Sequence, residues 1–153
     1  MAWLRRLAHF RVKCVSKFMA LGEMLRAPKL EDPLPSVSGC WKLGAWPVER
    51  YGTEKMTRPA VLHSAWRAAD GSIGIVFLNI SEEPQDIAFS VNGHSYGFPP
   101  GADLTVTALV LDNEEKATRD DDATLRGGAG SIRHTMEPRG VWAVEIAPAA
   151  RPR

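Results

Sequence analysis

Between Pro59 and Glu83 the chain reads PAVLHSAWRAADGSIGIVFLNISEE, two β-rich runs on either side of Asp70-Gly71. Asp-Gly suits a hairpin reversal, because the turn needs a positive φ that Gly reaches without a Cβ clash and Asp tolerates. In the first run Leu62, Ser64 and Trp66 share one face, and Val61, His63, Ala65 and Arg67 the other. The second run, IGIVFLNI, is apolar on both faces, which places it in the middle of a sheet with material packed on either side. This hairpin fixes the class of fold, and the remaining segments read as packing for it.

The other strand signals follow in order. Val37 to Lys42 is a short strand, and Trp46 to Arg58 has no clear period and reads as an irregular crossing segment. Gln85 to Val91 alternates Ile87, Phe89 and Val91 with Asp86, Ala88 and Ser90. Asn92-Gly93 is a second turn signal, expected to reverse the chain into a strand over His94 to Phe98. Leu104 to Leu111 puts Leu104, Val106, Ala108 and Val110 on one face. The polar stretch from Asp112 to Gly130 allows one short strand near Ala123 to Arg126, and Ser131 to Met136 and Val141 to Ile146 are the last strands. Some seven short strands with turns and no helix between them predict an antiparallel β-sandwich. Parallel pairing is disfavoured, since each crossover needs a dozen or more residues.

Ahead of the strands, Trp3, Leu7, Phe10, Cys14, Phe18, Leu21 and Leu25 recur at spacings of three and four, predicting one amphipathic helix over Met1 to Leu25. Five basic residues (Arg5, Arg6, Arg11, Lys13 and Lys17) precede its first acid, Glu23. That bias also fits a transit peptide or a membrane-surface helix. A bulky aromatic stripe without a small-residue cleavage signature favours a packed helix instead. Recurring charges leave no apolar run for a secretory signal, so the cytoplasm is the default compartment. The expected divisions are a helix over 1–27, a linker with one strand over 28–58, the sandwich over 59–148 and a disordered tail over 149–153. The β pattern is complete without the helix, so removing Met1 to Ala27 is expected to leave a folded sandwich.

At 153 residues with 44% hydrophobic and 24% charged residues, the chain can bury one core and resembles neither a disordered nor a membrane-spanning sequence. A net charge of +1 and the lack of a basic stripe interleaved with aromatics in the β-rich part argue against nucleic acid as a partner. Cys14 and Cys40 are read as two free buried thiols, with no metal spacing around either. His9, His63, His94 and His134 are dispersed, and His63 is expected to be a hydrogen-bonded sheet residue. The triplet Asp120, Asp121 and Asp122 lacks the alternation and central Gly of a calcium loop and is read as a solvated loop. No metal, cofactor or catalytic residue is therefore nominated. Asn79-Ile80-Ser81 matches a glycosylation sequon at the end of an apolar strand, where a glycan has no room. Trp3, Trp66 and Trp142 are expected to be core. Trp41, Trp46 and Tyr51 cluster where the pattern is loosest and form the candidate platform for stacking on a sugar ring.

The stretches GEMLRAP (Gly22 to Pro28), AVLHSAWRAADGSIGIVFLNISEEP (Ala60 to Pro84) and MEPRGVWAVEI (Met136 to Ile146) resemble the C-terminal region of bacterial glycoside-hydrolase-like proteins. In that group a (β/α)8 barrel is followed by an antiparallel β-sandwich. The resemblance implies a chain that carries the last barrel helix and the sandwich but not the barrel, the start of a truncated gene or a fragment. The acid and nucleophile carboxylates of such enzymes sit at the ends of barrel strands, so none carries over to a position here. It implies a non-catalytic accessory role, with the barrel of a parent protein as partner, or self-association through the helix. A carbohydrate-binding module using Trp41, Trp46 and Tyr51 is the first alternative, and a small stand-alone enzyme the second.

Overall fold

The computed structural model describes residues 2–42, 53–111 and 116–149, with the backbone alone at 2, 40–42, 53–55 and 120–122. It is mainly β, every strand pair is antiparallel, and the principal helix lies at the N-terminus. The chain runs α1 (Ala2–Lys13), α2 (Ser16–Met19), β1 (Glu23–Leu25), β2 (Ser36–Lys42), β3 (Thr53–Pro59), β4 (Val61–Arg67), β5 (Ile73–Asn79), β6 (Gln85–Asn92), β7 (Leu104–Leu111), β8 (Ala117–Leu125), β9 (Ala129–Met136) and β10 (Val141–Pro148).

Six strands form one sheet in the order β1-β4-β5-β10-β7-β8, while β6 pairs with β9 and β2 with β3. The doubly apolar run of β5 is central, as its pattern requires. Register places Phe77 beside Trp142, and Ile75 beside both Ala65 and Val144. These side chains close a core with Ile87, Phe89, Val91 and Met136 from the β6–β9 layer. Phe77 packs 5.0 Å from Phe89 and 5.3 Å from Trp142 between ring centroids, in tilted geometries that suit aromatic quadrupoles. The segment after β1 crosses to this second layer, where Leu30 bridges to Phe89.

The turn between β4 and β5 is wider than a two-residue reversal. Ala68 N–H donates to Ser72 O, and the Asp70 carboxylate accepts from both the amide (2.9 Å) and the hydroxyl (2.6 Å) of Ser72. Gly71 takes φ +83°, the conformation that its lack of a side chain makes cheap.

Four sequence expectations are corrected. The single helix to Leu25 breaks after Lys13; only a short α2 follows, and Glu23–Leu25 is an edge strand paired with β4. Amphipathic spacing continued past the break because Phe18 and Leu25 face interior surfaces from different kinds of element. The segment read as irregular, Trp46 to Arg58, holds all but the last residue of β3, a seven-residue strand on β2. His94 to Phe98 is not a strand: Asn92 Oδ1 accepts from His94 N at 3.1 Å and caps a 3-10 turn over Gly93–Tyr96. The expected short strand near Ala123 to Arg126 is the nine-residue β8, which takes in Asp120 to Asp122. Its polar sequence suits the outer edge of a sheet, where charges discourage further pairing.

Candidate functional site

The two faces of the six-stranded sheet have different covers. The inner face meets β6 and β9; the outer face carries α1 and α2. Phe10, Val15 and Phe18 are fully buried there against Ala143, Leu109 and Leu111. Burying such side chains stabilises the docked state by on the order of 1.5 to 3 kcal/mol each. Gly74 makes the closest approach possible: a Cβ at this position would lie 2.6 Å from Cδ2 of the Phe18 ring.

Polar contacts fix the helices laterally. Arg6 donates to Leu111 O at 3.2 Å, and the Cys14 thiol to Val110 O at 3.6 Å. Lys17 donates to Asp70 and Ser72, both at 3.0 Å, and to Glu145. Glu145 is 7% exposed, and its second oxygen accepts from Arg119 at 2.8 Å. Both oxygens of this buried carboxylate are thus held by cations. Asp70 is more open, and its carboxyl is lowered to about 2, chiefly by the Ser72 hydroxyl, then by the Ser72 amide and Lys17.

Beside α1 the cover is incomplete. A groove of about 730 Å³ runs between the helix and the outer face of β4 and β5. Leu4, Ala8 and Val12 form the helix wall, and Leu62 and Leu78 belong to the sheet wall. Three of the large hydrophobics that the described residues leave exposed, Leu4, Val12 and Leu62, line this groove. Leu4 (61%) and Val12 (68%) are on α1, Leu21 (84%) is in the turn after α2, and Met24 (65%) and Leu62 (38%) are on the outward faces of β1 and β4. An exposed apolar lining such as that of the groove marks a surface suited to being covered.

The groove residues were not nominated from sequence. Leu4, Ala8 and Val12 do form a second i, i+4, i+8 stripe beside the main one, a signal that could have pointed to them. The candidate sugar platform gains no geometry: Trp46 and Tyr51 lie outside the described residues, and Trp41 contributes only its backbone in β2. Trp142 is buried as expected, whereas Trp3 and Trp66 are half-buried, with the Arg139 guanidinium 5.2 Å from the Trp3 ring centroid.

Among the histidines, His63 bonds through Nε2 to Pro28 O at 2.8 Å and stacks on Phe77, a sheet role as expected. His134 stacks on Trp142 at 4.1 Å, and burial lowers its pKa. Cys14 is a free thiol whose pKa burial raises, and the Cys40 side chain lies outside the described residues. Asn79 is fully buried with Nδ2 donating to Glu83 O and Glu137 O, so the sequon amide points into the protein. Among the described residues no group of three or more His, Cys, Asp or Glu could hold a metal ion, and no helix is long and apolar enough to cross a membrane.

Fold and groove together define a small antiparallel β-sandwich with a helix layer docked on one face and an uncovered apolar surface beside it. No family model matches the chain, and no curated protein matches it either. Solved structures that overlap it include chains of glycoside hydrolases. A GH30 endoxylanase from Clostridium papyrosolvens overlaps at a TM-score of 0.39 and 17% identity, over 65% of this chain and 23% of its own. A GH27 β-L-arabinopyranosidase from Geobacillus stearothermophilus overlaps at 0.37 and 13%, over 61% of this chain and 18% of its own. The catalytic domain of GH30 xylanase C from Talaromyces cellulolyticus overlaps at 0.35 and 20%, over 62% of this chain and 20% of its own. The chain thus spans about a fifth of the length of these enzymes.

Proposed function

We propose that the chain is a non-catalytic accessory β-sandwich of a glycoside-hydrolase-like protein, whose helix-bearing face buttresses a catalytic barrel. The observation that carries this reading is the open apolar groove on that face, with the exposed side chains of Leu4, Val12 and Leu62 in its lining. A surface that costs free energy in water is accounted for if a neighbouring body covers it. The motif resemblance supplies the kind of neighbour, a (β/α)8 barrel whose strand ends hold the two carboxylates that glycoside hydrolysis needs. The one buried carboxylate of the described residues, Glu145, is held by Lys17 and Arg119. Both its oxygens are engaged by cations, and through Lys17 it ties α2 to the sheet.

Purified alone, the chain is expected to give no turnover on a broad panel of aryl glycosides. Reproducible turnover that disappears on replacing a single Asp or Glu would overturn the accessory reading.

A further inference from the structure

We infer that His134 is a pH-sensitive latch between the two layers, a neutral imidazole that holds β9 on the six-stranded sheet and lets it loosen when the ring takes up a proton. Among the described residues β9 is hydrogen-bonded to β6 alone, and these two strands form a sheet of their own. A two-stranded pair is marginal by itself in water, so side chains must fasten it to the larger sheet. On the second half of β9 the inward positions are Ile132, His134 and Met136. Two of these are apolar, and the third titrates. The His134 imidazole lies face to face with the Trp142 indole, 4.1 Å between ring centroids and 8° between planes. Trp142 itself packs on Phe77 and Phe89, so the stack ties β9 to the centre of the core.

A positive charge on this ring would have nothing to balance it. The inward side chains of β10 are Trp142, Val144 and Ile146, and those of β6 near the ring are Gln85, Ile87 and Phe89, all uncharged. The helices lie on the opposite face of the six-stranded sheet. On its solvent side His134 shares a recess with Asp32, Asp86 and Arg133. Asp86 already accepts from Thr135 Oγ1 at 2.6 Å, Asp32 is exposed to water, and Arg133 is itself a cation. Among the described residues no hydrogen bond or ion pair includes the His134 ring, whereas His63, the other stacked histidine, is bonded to Pro28 O. Half-burial without a counter-charge disfavours the imidazolium, and burial accordingly lowers the His134 pKa from the ordinary value of 6.5. The folded chain therefore holds fewer protons here than an opened one. The latch costs nothing above pH 6.5, weakens as pH falls from 6.5 toward the lower folded value, and weakens no further beneath it.

The test uses the full chain between about pH 7.5 and about pH 5.5, the window in which imidazoles titrate. Proton–carbon NMR of the imidazole rings, with His134 assigned by its disappearance in His134→Phe, is expected to give a midpoint below 6.5. Each pH unit by which the folded midpoint lies lower is worth about tenfold in the opening equilibrium. Native-state hydrogen exchange, corrected for the intrinsic pH dependence of amides, is expected to show β9 losing at least about threefold in protection over this window while β4 and β5 keep theirs. His134→Phe keeps a ring on the indole and cannot titrate, and it is expected to abolish that loss; His134→Gln is the second variant. A midpoint at or above 6.5 in the wild-type chain, which needs no variant to fold, would overturn the proposal. So would undiminished protection of β9 at the acid end, a loss spread evenly over both sheets, or the same loss in the variants as in the wild-type chain.

Discussion

Asn79 heads a sequon match that the sequence already places at the end of an apolar strand, and its role in the structure is that of a clamp. Its side chain reaches out in two directions from the end of β5. Oδ1 accepts from Ser81 N (2.9 Å) and Ser81 Oγ (2.7 Å), while Nδ2 donates to Glu83 O (2.8 Å) and Glu137 O (3.0 Å). One amide therefore pins the turn before β6 to the turn before β10. Replacing it by Asp keeps the shape but removes both donors and turns a carboxyl toward two carbonyls. Asn79→Asp is expected to destabilise the fold by about 2 to 4 kcal/mol, since buried carbonyls lose their partners. Urea denaturation measures this, and a change below about 0.5 kcal/mol, the range of an inconsequential surface substitution, would show that the clamp does not matter.

At the scale of elements, the contact between α2 and β5 is the tightest seam, because the Phe18 ring lies against the bare backbone of Gly74. Gly74→Ala places a methyl group inside that ring's space. It is expected to cost about 1 to 3 kcal/mol through overpacking and to make Met1 to Leu25 more susceptible to limited proteolysis; an unchanged cleavage rate would show the seam to be adaptable. The elements legible in the sequence were those with a buried face. In β4, β5, β7 and β10 the alternation or the doubly apolar run reports burial directly, and their faces are assigned as read. The edge strand β8 and the β2–β3 ribbon are rich in polar residues, so β3 and most of β8 carry no periodic signal in the sequence. The break of the helix was hidden by residues that stay apolar for a different neighbour. The groove was legible only in half: Leu4, Ala8 and Val12 are close in sequence, but Leu62 and Leu78 reach them only through the fold.

For the whole molecule, the structure revises the role of the N-terminal segment. Phe10, Val15 and Phe18 are as buried as the central core, and β1 covers one edge of β4. Deleting Met1 to Ala27 is therefore expected to give an aggregating or unfolded product, where the β pattern alone suggested a folded one. Sedimentation and near-UV circular dichroism of the truncated chain decide between them, and a stable monomer with native near-UV signal would show that the helix layer is dispensable. The strand order has a further consequence for how the protein is made. β10 is the last strand in the chain, yet it sits between β5 and β7 and is hydrogen-bonded to both. On the ribosome, where synthesis proceeds from the N-terminus, the β1-β4-β5 and β7-β8 portions emerge with bare inner edges and cannot join until β10 has emerged between them. Until then the nascent chain presents two open pairing edges, features prone to capture by other chains. The sheet closes only once β10 has emerged, and a ribosome stalled a few codons before β10 would hold an open sheet.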